Sequence, residues 1–170
     1  MKLSIPNIMK HTLPYLLILL GCTRAMAAQW SLDSHKHESL IPHGTVQEAA
    51  GVKQQSLVLD GSSVIELKDS AALNGDGGFT FSVWFNPYGL SAGQQVIAGK
   101  NRYSHDERQW TLTVEPDGRL KAYVQQGGWA TVTSKEALKP GHWHLATLTV
   151  GSGEAALFLN GRSQGEVKLK

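Results

Sequence analysis

A chain of 170 residues with 16 basic and 14 acidic side chains has room for one domain and an appendage rather than two domains. A formal net charge of +2 is too small for a partner built on phosphates, and 41% hydrophobic against 18% charged residues excludes a disordered chain. Eighteen glycines and five tryptophans instead describe a packed, loop-rich domain.

Residues 1–27 read MKLSIPNIMKHTLPYLLILLGCTRAMA. Lys2 and Lys10 form a basic start, Leu13 to Leu20 an apolar core, and Ala25-Met26-Ala27 a small-residue cleavage pattern. This is the layout of a secretory signal peptide, with an apolar stretch too short to span a bilayer. The expectation is export to an extracellular, periplasmic or cell-surface location. Removing the segment takes away Lys2, Lys10 and Arg24, leaving 13 basic and 14 acidic residues. Two cuts fit it. One falls after Ala27 and releases a soluble chain without cysteine. The other precedes Cys22, the only cysteine, where Leu19-Leu20-Gly21 resembles a lipobox and lipidation would supply a membrane anchor. The soluble product is the better match, since Leu20 is a weak lipobox residue. Either way no disulfide framework exists.

Residues 28–55 carry the weakest pattern. Gln29 to Leu32 reads as the start of a strand, followed by a polar region. His35, His37 and His43 lie in SHKHESLIPHG with no cysteine or HExxH beside them, so they read as solvated loop histidines rather than zinc ligands. From Ser56 the texture changes. SLVLDG and SVIELKD are short β-branched and leucine-rich runs, read as two strands about a tight turn at Asp60-Gly61. LNGDGG is a loop. GFTFSVWF alternates with period two and is a strand, and QQVIAGK is another. QWTLTVEPDGRLKAYV is a hairpin turned at Pro116-Asp117-Gly118. GGWATVT, HWHLATLTV, EAALFLNG and EVKLK follow at regular spacing, and no helical period persists. Many short strands with glycine-rich turns predict an all-β sandwich or barrel.

Alternation assigns the faces. Phe79, Phe81, Val83 and Phe85 share one face of their strand, with Thr80, Ser82 and Trp84 on the other. Trp110, Leu112 and Val114 share a face, as do Leu120, Ala122 and Val124, and Ala146, Leu148 and Val150. These faces are expected to meet between two sheets. The three phenylalanines are therefore read as core, each contributing about 1.5–3 kcal/mol if fully buried.

ALNGDGGFTFSVWFNP, EPDGRLKAYVQQGGWATV and LKPGHWHLATLTVGSGEAALFLNGR, in that order, resemble the LamG-like, concanavalin A-like jelly-roll domain of secreted bacterial proteins. The resemblance covers Ser56 to Gly165 and, more weakly, reaches back to Trp30. It implies a two-sheet antiparallel jelly-roll β-sandwich over 56–170, with 28–55 as its N-terminal strand and polar loop region. Trp84, Trp143-His144 and Asn160-Gly161 match the family's most recognisable positions. By that resemblance they keep the fold, so Trp84 is expected to pack rather than to hold sugar. The family's pattern continues to a final strand beside the N-terminal one, whereas this sequence stops soon after EVKLK. Either the sheet lacks or completes its last strand in an unusual way, or this is the front part of a longer protein.

The same fold hosts glycoside hydrolases, which need two carboxylates about 5–9.5 Å apart. No Glu-x-Asp-x-x-Glu strand occurs. Asp106 and Glu107 are adjacent, and Glu66 and Asp69 have odd spacing beside Lys68. Neither a G-x-S-x-G elbow nor a nucleotide-binding glycine loop is present. Calcium is a softer prospect, through Asn74 and Asp76 in LNGDGG, although Asn, Asp and Gly make turns without any metal. No cofactor is otherwise indicated.

Sugar recognition rests on exposed aromatic rings with polar groups beside them. Alternation turns Tyr123 and Trp129 outward on either side of one short turn. The polar run Asn101 to Asp106 adds Arg102, Tyr103, His105 and Asp106, either as ligand contacts or as an ordinary connection. The leading expectation is an exported, non-catalytic carbohydrate-binding module with a poly- or oligosaccharide partner and no nucleic acid. The alternative is a cell-surface protein-interaction or adhesion module. A glycoside hydrolase ranks third.

Overall fold

Twelve strands and no α-helix are found among the described residues, which in this computed structural model are 28–70, 73, 77–102 and 107–170, with only the backbone of Arg102 and Glu107. They are β1 (Leu40–His43), β2 (Gln47–Ala50), β3 (Gln55–Val58), β4 (Val64–Leu67), β5 (Gly78–Phe85), β6 (Gln95–Arg102), β7 (Glu107–Val114), β8 (Arg119–Gln125), β9 (Trp129–Ala137), β10 (His144–Gly151), β11 (Glu154–Leu159) and β12 (Arg162–Lys168).

Two antiparallel four-stranded sheets, β12-β11-β10-β5 and β6-β7-β8-β9, pack face to face as a sandwich. The alternating faces meet as expected. Leu112, Val114, Leu120 and Ala122 of one sheet are buried against Ala146, Leu148, Ala155 and Leu157 of the other. Trp110 lies 4.6 Å from Phe81 and 5.6 Å from Phe79, ring to ring. The phenylalanine row packs against this core as expected, half-buried rather than fully enclosed. Among the described residues strand β5 is the outermost strand of its sheet and pairs only with β10. The centre of the core belongs to β7, β8, β10 and β11. Strands β9 and β12 close the opposite flank, where Gln164 Oε1 accepts the Lys135 amide at 3.0 Å.

Turn chemistry sets the registers. Pro116-Asp117-Gly118 turns β7 into β8, with the Gly118 N–H bonded to the Glu115 carbonyl at 2.8 Å and Gly118 at φ 81°. Asn160-Gly161 joins β11 to β12 with both residues at positive φ, 51° and 77°. This is the type I′ geometry that the strand twist favours and that Asn-Gly adopts most readily. Asn160 Oδ1 also accepts the Leu145 amide at 2.8 Å, tying the turn to β10. Asn160→Ala loses this bond and meets the left-handed penalty, so a loss of about 1–2 kcal/mol is expected in chemical denaturation.

The N-terminal region departs from its sequence reading. No strand forms at 29–32; the first strand is β1, and β2 follows. Pro42 and the helix-compatible QEAA hid these strands. The two strands about Asp60-Gly61 do not pair with each other. Strand β3 pairs with β2, and β4 pairs with β1, as nested antiparallel partners. The reason is local: Asp60 Oδ1 accepts the Ser62 amide at 2.9 Å and the Ser62 hydroxyl at 2.7 Å, turning the chain without a hairpin ladder.

Trp84 is the other correction. It is 49% exposed on the outer face of the β5 sheet, opposite the phenylalanine row. Period two overrides the packing role expected of it. His144 is buried, with its Nε2 3.2 Å from the Lys139 carbonyl.

Candidate functional site

The outer face of β6-β7-β8-β9 holds a groove of about 430 Å³. Its floor follows from the alternation that buries Trp110, Leu112 and Val114: the intervening Thr111 and Thr113 must face outward. Thr111 pairs with Tyr123 and Tyr123 with Thr131, so a hydroxyl, a phenol and a hydroxyl cross the sheet in one row. Gly99 sits opposite Thr111 on β6, where a Cβ would lie 3.1 Å from Thr111 Oγ1. Two register shifts in β6 bring Asn101 to this face, and its Nδ2 donates to Thr111 Oγ1 at 3.2 Å. Gln94 and Val96 close one end, and Trp129 the other.

Trp129 begins β9 opposite Gln125, the last residue of β8. Its indole is 44% exposed and meets the Tyr123 ring edge-on, centroids 6.2 Å apart and planes at 90°. The two rings form a corner. Tyr123 is the fixed wall of that corner. Its hydroxyl donates to Glu115 Oε1 at 3.2 Å and accepts from Gln94 Nε2 at 2.7 Å, and Lys121 Nζ lies 4.6 Å from its ring centroid. Trp129 therefore offers the free aromatic surface.

Glu115 anchors the network. It accepts from Thr113 Oγ1 at 2.7 Å and from Gln94 Nε2 at 3.1 Å, besides Tyr123. Partial burial pushes its carboxyl up, but hydrogen bonds from Thr113, Gln94 and Tyr123 and the Lys121 charge outweigh this and hold it below the usual carboxylate range. A carboxyl held ionised in this way is poorly suited to protonate a leaving group. No carboxylate lines the groove itself among the described residues. Because the folded-state pKa is depressed, the stability it contributes is present above the ordinary carboxylate pKa and lost as pH falls through the folded value. The thermal midpoint of Glu115→Gln is expected below the parent at neutral pH, with the gap closing in acid.

The other residues singled out in the sequence fall elsewhere. Arg102 ends β6 opposite Glu107. Tyr103, His105 and Asp106 lie outside the described residues, as do Asn74, Asp76 and Cys22. The three N-terminal histidines do not gather. His35 pairs with Glu48, His37 with Ser39 and His43 with Glu66, at 3.1, 2.7 and 2.9 Å. Among the described residues no group of three or more metal-ligating side chains forms. Sequence reading missed Gln94, Thr111, Thr113, Glu115 and Thr131, and named Asn101 only as the start of the polar run. Thr111 and Thr113 were legible as the opposite phase of QWTLTV, and Thr131 as that of WATVT, but the others needed the fold.

The family model for the concanavalin A-like lectin/glucanases superfamily matches residues 59–170. No curated protein matches the chain. Among solved structures it is similar to domain 4 of AbnA, a GH43 extracellular arabinanase from Geobacillus stearothermophilus, solved with arabinotriose. That likeness has 20% identity, a TM-score of 0.59, and covers 74% of this chain and 59% of that one. An S-layer domain-containing protein from Clostridium thermocellum aligns over 85% of this chain and 70% of its own, with 24% identity and a TM-score of 0.43. A heptameric SAP-like pentraxin from Limulus polyphemus aligns over 54% and 44%, with 18% identity and a TM-score of 0.41. The chain thus spans under two thirds of the arabinanase domain structure. With its two antiparallel sheets and a family match across both, the chain belongs to the concanavalin A-like lectin/glucanases superfamily.

Proposed function

We propose that this is an exported, non-catalytic carbohydrate-binding module that holds a poly- or oligosaccharide along the groove of the β6-β7-β8-β9 sheet. The observation that carries the reading is the corner of Trp129 and Tyr123 at the end of a hydroxyl- and amide-floored groove. A half-exposed indole stacks on a sugar face, while Thr111, Thr131 and Asn101 offer hydrogen bonds to its hydroxyls. The superfamily and the arabinotriose complex of a similarly folded domain support a saccharide partner. Export rests on the first 27 residues. Among the described residues the groove lining offers only uncharged side chains, which favours a binding role over hydrolysis.

Native affinity electrophoresis tests it, with the protein run through gels containing arabinan, xylan, β-glucan or galactan. Retardation in at least one gel, relieved by free oligosaccharide, is expected. Uniform mobility in all of them, or reducing sugar released in proportion to protein, overturns the reading. A protein-interaction module is the second reading, favoured by Trp84 exposed beside Leu145 on the opposite sheet. It predicts that Trp84→Ala rather than Trp129→Ala abolishes attachment to cells.

A further inference from the structure

The polar groups of the groove differ in how much choice they leave a ligand. Thr111 and Thr131 carry hydroxyls, which turn to donate or to accept. Asn101 spends one Nδ2 proton on Thr111 Oγ1 and keeps both an acceptor and a second proton. Thr113 and Tyr123 give their hydroxyl protons to Glu115, at 2.7 and 3.2 Å. Gln94 is unlike all of these. Its Nε2 donates to both Glu115 oxygens at 3.1 Å and to the Tyr123 hydroxyl at 2.7 Å, which uses both of its protons. Ionised Glu115 accepts only, so the Gln94 amide is held with its nitrogen towards the carboxylate and cannot turn round. What Gln94 keeps for a ligand is Oε1, an acceptor of fixed polarity.

Gln94 is exposed and stands with Val96 at the end of the groove away from Trp129, and the Val96 side chain offers no hydrogen bond. We propose that Gln94 is the specificity-determining residue of the groove, and that the ligand is a neutral glycan presenting an unsubstituted hydroxyl at this end. The proposal rests on the reading of the groove as a saccharide site and names the chemistry of that saccharide. A free hydroxyl donates to Oε1. A methyl ether or an ester has no proton to give and leaves the acceptor desolvated and unpaired. Charge is selected by the same surface. Among the described residues the lining holds no charged side chain, and Lys121, the ammonium of the network, lies over the Tyr123 ring and offsets Glu115. An acidic sugar entering the groove loses water with no lining cation to pair it.

The test is affinity electrophoresis of the full chain in arabinan, xylan, β-glucan and galactan, each unmodified, partially O-methylated and carboxymethylated. A polymer that retards the protein is expected to lose about tenfold in affinity on methylation, the effect of one hydrogen bond, and at least as much on carboxymethylation. Gln94→Leu keeps most of the bulk but not the acceptor. It should bind the unmodified polymer about tenfold more weakly and no longer distinguish it from the methylated form. Tyr123→Phe leaves Gln94 tied to Glu115 and should retain the preference, which separates loss of the acceptor from loosening of the corner. Three results overturn the proposal and leave the saccharide reading standing: equal binding of unmodified and methylated polymer, tighter binding of the carboxymethylated form, or a preference that survives Gln94→Leu or is lost in Tyr123→Phe. If nothing is retarded, or if Trp129→Ala binds every polymer as the parent does, the groove reading fails and this proposal fails with it.

Discussion

Trp129→Ala is expected to weaken saccharide binding at least about thirtyfold without unfolding the protein. Truncating a central aromatic contact typically costs about 2 kcal/mol or more, which corresponds to that factor in affinity. Trp129 meets the conditions for such a contact. Its ring is 44% exposed, so it is available to a ligand, yet the edge-on Tyr123 ring fixes its orientation. The same exposure limits the structural loss. The variant forfeits one edge-to-face pair, worth about 0.5–1.5 kcal/mol beyond its area, and no core volume. Affinity electrophoresis and a thermal scan of the same sample check both halves. Retained affinity in a folded variant would remove Trp129 from the binding surface. Tyr123→Phe is the companion, since it keeps the ring and removes the hydroxyl that bridges Gln94 and Glu115. It should act mainly by loosening the wall of the corner.

The largest stability loss is expected from Leu148→Ala. Leu148 is fully buried on β10, the strand flanked by both β11 and β5. It lies opposite Leu157 on one side and Phe81 on the other. Removing a buried leucine side chain from a close-packed site costs about 2–5 kcal/mol through lost transfer energy and the cavity left behind. In a domain of this size that lowers the thermal midpoint by about 10 °C. Urea denaturation should show a lower midpoint with an unchanged slope. Trp84→Ala on the outer face of the same sheet is the contrast, expected to cost about 1 kcal/mol or less because its ring is half-exposed. A comparable loss in both variants would mean that the outer face is packed against something in solution.

How much was legible depends on which physical rule governed each residue. GFTFSVWF could be read with its boundaries intact, because a period-two run between glycine-rich turns leaves little choice of conformation. Pro-Asp-Gly named its turn through turn chemistry, whereas Asn-Gly was marked by the family resemblance. The outward positions of Tyr123 and Trp129 followed from alternation alone. The N-terminal pairing did not. Strand β3 has adequate partners on either side in the sequence, and the hydrogen bonds of Asp60 tipped the choice towards β2.

The sequence by itself determined an all-β sandwich or barrel, the inward and outward sets of the strands from 78 onward, and the outward turn of Tyr123 and Trp129. These are local properties, set by backbone pleat and turn sterics within a few residues. Only the tertiary structure decided that Gln94, Glu115 and Tyr123, drawn from different segments, share one hydrogen-bond network. It also showed that the phenylalanine row lies at the margin of the core. Period two tells which residues share a face; whether that face is covered, and what stands beside it, depends on sheet order and on strands distant in the chain.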